Sequence, residues 1–251
     1  MREKLIYQRK KKIRKWLYLF LMISIIVLVF FAKLFLPGFF KSLSIFNLKN
    51  VIIEPTDYAS FVMDYISLPE GVNVLSINMP EIYSRIRQIY FVEDCFIEKH
   101  LPDTLLIRLK IRKPWVLIVD SETIVTMDRN GYFLPAGENF VGWVVEGIKA
   151  GSTGERSLEQ EKIDVLKEIE QWYNYYRIAS IFKIDKISLG DLDKIELKSW
   201  QESIYIHSEE IEKQMAVAKE VLSDCRKNNF PLEYIDVRFK EPYIKERMIQ
   251  Q

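Results

Sequence analysis

Two histidines, two cysteines and a few neighbouring acids are the side chains of this 251-residue chain that could do chemistry. His100 and His207 are far apart in sequence and each sits beside a turn. A metal centre needs ligands grouped at short, regular spacings, and no cysteine or acid cluster here has that pattern. Cys95 and Cys225 could pair in an oxidising compartment, but both fall on apolar faces, so two buried free thiols are expected. Glu209-Glu210 and Asp191/Asp193 read as solvated helix starts or turns. No G-x-S-x-G, S-x-x-K, H-E-x-x-H or phosphate-binding loop occurs. A glycosidase would need two carboxylates facing each other across a cleft, which spacing alone does not disclose. No catalytic, cofactor-binding or metal-binding residue is therefore assigned, and binding is the chemistry to look for.

Charge and hydropathy place the chain before any element is drawn. The formal net charge of +1 hides an asymmetry: residues 1–36 hold nine Lys/Arg and one acid, leaving 27 basic against 34 acidic residues in the rest. A body that acidic is a poor nucleic-acid binder, because neutralising phosphates needs clustered cations. With 49% apolar and 28% charged residues, the composition is that of a folded protein with one membrane segment. Trp16 to Ala32 is an apolar run interrupted only by Ser24, and Lys33 precedes Leu34-Phe35-Leu36. As a helix, residues 16–36 would span roughly 31 Å, about the thickness of the hydrocarbon layer. Trp16 and Tyr18 stand where an interfacial aromatic belt would be, and Lys33 can snorkel into the headgroups. Arg2, Lys4, Arg9, Lys10, Lys11, Lys12, Arg14 and Lys15 precede the span and put the N-terminus in the cytoplasm. A cleaved signal has a shorter apolar core and a small-x-small site, whereas Ser42-Leu43-Ser44 lies well beyond this run. The segment reads as an uncleaved, single-pass anchor in the lipid bilayer.

The exterior body then reads as α+β. Ser44 to Ile53 suggests a strand, and Thr56 to Ile66 a helix burying Phe61, Tyr65 and Val62. Asn78-Met79-Pro80-Glu81 has the form of a capping box, followed by the helical stripe Ile82, Ile86, Ile89. Val92–Lys99 and Thr104–Arg112 are strands around Leu101-Pro102-Asp103, which closes a compact βααββ unit. Past Pro114 short strands take over: Trp115–Val119 and Thr123–Met127, with a turn at Asp128-Arg129-Asn130-Gly131. Ala150–Gly154 is a loop, and Ser157 opens a helix with stripe Ile163, Leu166, Ile169, Tyr173, Tyr176. Lys183–Leu189, Lys194–Lys198 and Ser203–His207 read as strands. Ser208 is expected to cap a helix with stripe Ile211, Met215, Ala218, Leu222, Cys225. Glu233–Phe239 alternates as a strand, and Tyr243–Arg247 adds one more. The aromatic helix around Trp172–Tyr176 is expected to pack on the sheet.

These segments carry a family resemblance. His100-Leu101-Pro102-Asp103-Thr104-Leu105-Leu106-Ile107-Arg108-Leu109 resembles the closing hairpin of the polypeptide-transport-associated (POTRA) domain in the FtsQ/DivIB bacterial cell-division proteins. Val92, Cys95, Ile97, Lys99, Pro102, Thr104, Leu105 and Ile107 fall on its V-x-x-A-x-V-x-R-x-x-P-x-T-L-x-I pattern, with Cys95 at the small core position. Arg112-Lys113-Pro114 is similar to the end of E-R-x-P, and Asp128–Phe133 to the D-x-x-G element that opens the β domain. Tyr234-Ile235-Asp236-Val237-Arg238-Phe239 resembles the D-L-R-Y strand near the family's C-terminus. The resemblance covers nearly the whole chain in order.

It implies four segments: a basic cytoplasmic tail (1–15), a transmembrane helix (16–36), a POTRA domain (44–113) and a β domain (114–251). The β domain would be a mixed sheet with helices on one face. The resemblance further implies a non-enzymatic scaffold of the divisome, without cofactor or small-molecule substrate. It would sit in the cell inner (plasma) membrane at the septum, with its exterior domains outside the cytoplasm. Its partners would be small bitopic coiled-coil proteins of the FtsB/FtsL kind and the septal peptidoglycan synthesis machinery. The implied contact is β-augmentation at the C-terminal edge, through Val237, Phe239, Tyr243 and Ile244. Ordinary core packing is the other reading of Val237 and Phe239, an equal one for Val237 and a lesser one for Phe239. The alternatives are a membrane-anchored cell-wall enzyme, suggested by topology and acidity, and another POTRA-bearing transport component. The latter is disfavoured because only about 140 residues follow, with long helices among them instead of barrel strands.

Overall fold

The apolar run near the N-terminus folds as the first helix, α1 (Tyr18–Phe35). Its 18 residues rise about 27 Å, and none of its side chains is buried by the rest of the protein. By length and composition the helix is suited to cross a membrane. Trp16, Tyr18 and Lys33 all lie exposed along it. The computed structural model describes residues 16, 18–35, 38, 43–69, 71–121, 123–137 and 140–247. The basic tail 1–15, Leu36 and the last four residues lie outside the described residues.

The chain divides into two compact units, residues 1–88 with 94–110, and residues 89–93 with 111–251. In the first, β1 (Asn50–Glu54), α2 (Ala59–Ile66), α3 (Met79–Ile86), β2 (Val92–His100) and β3 (Thr104–Ile111) follow in the βααββ order. The sheet order is β1-β3-β2, with β1 parallel to β3 and Ile52 opposite Leu106. Ile53, Val62, Ile66, Ile82, Ile86, Leu105 and Ile107 form the apolar interior beneath it.

Local physics shifts three details. Ser44–Phe46 is a 3-10 turn, so the strand begins only at Asn50. A second 3-10 turn, Thr56–Tyr58, resets the phase of α2, which buries Val62 and Ile66 at i, i+4 spacing. Phe61 and Tyr65, expected inside, are instead 43% and 45% exposed and stack on each other at 5.5 Å. Asn78 is the residue before α3, but its amide donates to Glu81 at 3.4 Å instead of accepting from the backbone. The expected reciprocal box is therefore absent.

The second unit is built on a nine-stranded mixed sheet. In chain order its strands are β4 (Val116–Val119), β5 (Ile124–Met127), β6 (Phe133–Pro135), β7 (Trp143–Glu146), β8 (Lys186–Ser188), β9 (Ile195–Lys198), β10 (Ser203–Ile206), β11 (Leu232–Asp236) and β12 (Tyr243–Glu246). Their order across the sheet is β12-β11-β10-β9-β8-β7-β4-β5-β6. The two helices are α4 (Gln160–Tyr175) and α5 (Ile211–Lys227). The stripes Ile163, Leu166, Ile169, Tyr173 and Ile211, Met215, Ala218, Leu222, Cys225 enter one core with Val116, Val145, Ile187, Leu197, Ile204 and Ile235.

Both helix starts differ from the sequence reading. Helix α4 begins at Gln160, and Ser157 Oγ instead accepts the Glu159 N–H at 3.2 Å. Ser208 does not cap α5, whose N-cap position is Glu210 without a side-chain cap hydrogen bond, and Gln214 inside the helix ties down the segment that leads into it. Its side chain accepts the His207 N–H at 2.7 Å and donates to the carbonyls of His207 and Glu209. A buried amide thus satisfies backbone groups of the loop before the helix. Gly147 closes β7 at φ +83°, and a Cβ there would meet the Gly190 nitrogen at 2.3 Å. Only glycine fits that crossing.

Candidate functional site

The C-terminal strand pair leaves backbone open beside exposed apolar side chains. β12 runs antiparallel to β11, with Ile244 opposite Ile235, Lys245 opposite Tyr234 and Tyr243 opposite Asp236. Residues directly opposite share a face. Ile244 therefore lies on the α5 side with Ile235, where Val221, Cys225 and Phe230 join it around an apolar groove of about 430 Å³. On the other face Tyr205, Tyr234 and Tyr243 form a row across three strands, with ring centroids 5.3 and 5.9 Å apart. β12 is the last strand on its side of the sheet, so its outer N–H and C=O groups have no neighbouring strand among the described residues.

Polar clamps hold this edge. Asp236 accepts from Arg238 Nη2 at 2.7 Å and from the Arg238 N–H, while Arg238 also donates to the Asp193 carbonyl. Burial works against ionisation of Asp236, but the Arg238 hydrogen bonds and charge outweigh it and hold the carboxyl below the usual range. The same pairing raises Arg238. Lys245 lies over the Tyr234 ring and pairs with Glu233 at 2.7 Å, and the Glu233 hydrogen bond raises its ammonium. Arg247 ties down the far end, its N–H on the Pro231 carbonyl at 2.7 Å and its guanidinium on the Leu232 carbonyl.

Of the four edge residues proposed from sequence, the structure brings three to the surface. Tyr243 and Ile244 lie on β12, 57% and 39% exposed. Phe239 is 62% exposed in the loop between β11 and β12, under the Arg238 guanidinium. Val237 belongs to the core at 4% exposed, and its N–H bonds the Tyr205 carbonyl on the inner side of β11. It supports the edge from behind and offers it no free group. The opposite end of the sheet is unlike this one: β6 has three residues and finishes on Pro135, which lacks a donor.

The chemically capable side chains are not grouped into one centre: His207 lines a cleft with Val237, Arg238 and Phe239, Cys225 lines the groove beside Ile244, and His100 and Cys95 lie in the first unit. His100 pairs with Glu98 and His207 with Asp193, each on the surface of its own unit. Cys95 and Cys225 are buried free thiols, and burial pushes the Cys95 thiol up to about 11. Among the described residues no group of three or more His, Cys, Asp or Glu could hold a metal ion.

No family model matches the chain. Two curated proteins are similar to it. Cell division protein FtsQ of Rickettsia bellii is 24% identical over 89 residues, which cover 35% of this chain and 33% of that protein. The chain thus spans about a third of that relative's length. Cell division protein DivIB of Clostridium tetani is 26% identical over 237 residues, 88% of this chain and 83% of that protein. The chain is thus similar to an FtsQ/DivIB protein over most of its length.

A role in cell division follows for the chain from these FtsQ/DivIB relatives, with an N-terminal apolar helix of membrane-spanning length at its head. Two motifs of the FtsQ/DivIB resemblance also acquire a physical reason that sequence reading missed. Arg112, of the R-x-P element, and Asp128, of the D-x-x-G element, form a buried ion pair at 2.7 Å, with side chains 6% and 4% exposed. Asp128 Oδ1 accepts the Asn130 and Tyr132 N–H groups at 2.9 Å each, and the guanidinium lies 3.7 Å from the Tyr132 ring centroid. The Arg112 N–H bonds the Phe91 carbonyl at 2.8 Å. The legible signal was a single arginine before a proline and a single aspartate opening a glycine turn; nothing in either segment announced that the other was its partner.

Proposed function

We propose that this chain is a non-enzymatic, single-pass membrane scaffold of the division machinery, which binds an extended partner segment along the outer edge of β12. The observation that carries the reading is the open edge itself. A four-residue strand lies at the end of a nine-stranded sheet, with Tyr243, Ile244 and nearby Phe239 exposed and the clamps of Asp236, Lys245 and Arg247 keeping it in place. An added strand takes its registration from main-chain hydrogen bonds and its specificity from alternate side chains. On one face it would meet Ile244 and the groove beside α5, on the other the tyrosine row. The partner proposed is a small bitopic coiled-coil division protein of the FtsB/FtsL kind, which connects the scaffold to septal peptidoglycan synthesis. The basic segment before α1 supports a cytoplasmic N-terminus and exterior domains.

The test is capture of membrane proteins on the full-length chain, with Phe239→Ala/Tyr243→Pro as the parallel bait. Proline removes a ladder donor from the edge. Small coiled-coil division proteins should be retained by the wild type and lost with the variant, at unchanged circular dichroism. Capture that survives the variant moves the site elsewhere, and a wild-type bait that retains no division protein sinks the scaffold reading.

A further inference from the structure

We propose that the end of the first unit at which the chain arrives from α1 rests on the bilayer surface, dipping Leu101 and Ile45 into the interfacial layer. The inference depends on the reading of α1 as a membrane anchor. Three segments meet at this end: the entry segment, the 72–73 turn and the turn that joins β2 to β3. The Lys49 and Asn50 N–H groups both bond the Asp103 carbonyl, at 2.9 and 3.2 Å. The Leu48 N–H bonds the Val72 carbonyl, and the Asn73 amide reaches back to the Leu43 carbonyl. The tip so formed exposes two large aliphatic side chains, Ile45 at 57% and Leu101 at 59%. Leu101 stands in the turn with no regular element of its own to cover, so solvent or another surface must meet it.

The covalent connection names that surface. Between Phe35 at the end of α1 and Leu43 only seven residues intervene, and even fully extended they reach about 28 Å. A tether this short holds the tip against the membrane at an effective concentration in the millimolar range, where weak apolar contacts are populated. Charge complementarity is not the attraction. Lys49 is paired with Asp103 at 3.1 Å, so this cation is already matched. Insertion is therefore apolar, needs no anionic lipid and resists salt.

The experiment uses the full-length chain in phosphatidylcholine nanodiscs doped with nitroxide-headgroup lipid, and a thiol-reactive fluorophore at Leu101→Cys or Lys110→Cys. Lys110 is exposed about 20 Å further along β3. Wild-type protein, with its buried thiols, sets the background. Quenching at position 101 should exceed that at 110 by about threefold, persist at high salt and fall toward the 110 level when Ile45→Ser is added. Equal quenching at the two positions overturns the proposal, as does quenching at 101 that vanishes in salt. A Val27→Cys label with acyl-chain nitroxide separates the two readings. Quenching there together with an unquenched 101 label refutes the docked tip alone, whereas no quenching at 27 refutes the anchor and the tip with it.

Discussion

Replacing Asp128 with asparagine should unfold the second unit far more readily than a single lost hydrogen bond would. The pair it forms with Arg112 is 2.7 Å long, with both side chains at least nine-tenths buried. Asparagine keeps an oxygen for the Asn130 and Tyr132 N–H groups but takes away the charge that balances the guanidinium. Arg112 would then be a buried cation whose Nε already lacks a partner. Breaking one side of such a pair costs about 3–5 kcal/mol, against about 1 kcal/mol for an ordinary hydrogen bond. For a unit of this size that corresponds to a fall in Tm of about 10 °C or more. Tryptophan fluorescence reports on this unit selectively, since Trp115, Trp143, Trp172 and Trp200 lie in it and only Trp16 lies elsewhere. The companion Arg112→Met/Asp128→Leu removes both charges, and its loss should be smaller than that of Asp128→Asn alone. A melting shift under 3 °C for Asp128→Asn, or a double variant worse than the single one by more than its lost turn bonds explain, would refute the reasoning.

Gly147→Ala should lose about 1–3 kcal/mol from its φ of +83° alone, and more from contact with the Gly190 backbone, read as a lower denaturation midpoint. Cys95 and Cys225 should resist thiol reagents at neutral pH and react fully in denaturant, because burial raises both thiols, Cys95 to about 11. Asp236 has its folded-state carboxyl lowered, so its contribution to stability is complete above the ordinary carboxylate range and lost as pH falls through the folded value. Asp236→Asn should accordingly cost about 1.5–3 kcal/mol at neutral pH and flatten the decline of stability below about pH 4. A variant whose acid profile parallels the wild type would count against the Arg238 clamp.

Much of this architecture was legible because short-range patterns carry it. The i, i+3, i+4 stripes of α4 and α5 needed only the chain's own periodicity, and Ile82 and Ile86 were placed correctly on α3 for the same reason, whereas Ile89, though buried, lies past the end of that helix. Errors arose where one local device replaced another. The turn at Thr56–Tyr58 rotated α2 by a residue and put Phe61 and Tyr65 outside, and Glu210, two residues beyond Ser208, took the N-cap position of α5. At the site, Tyr243, Ile244 and Phe239 could be named from sequence as a candidate edge. The strand order that leaves β12 outermost could not, because β10 and β11 pair across the whole of α5. Val237 alternates with its neighbours as an edge residue would, yet its environment is decided by β10 and the core behind it.

The unequal ends of the nine-stranded sheet limit valency. A sheet with two receptive margins can be lengthened from both sides and can template a filament of copies. Here one margin is three residues long and stops at Pro135, while the other is β12. Strand addition to this sheet would thus be directional, starting at β12 and not at β6.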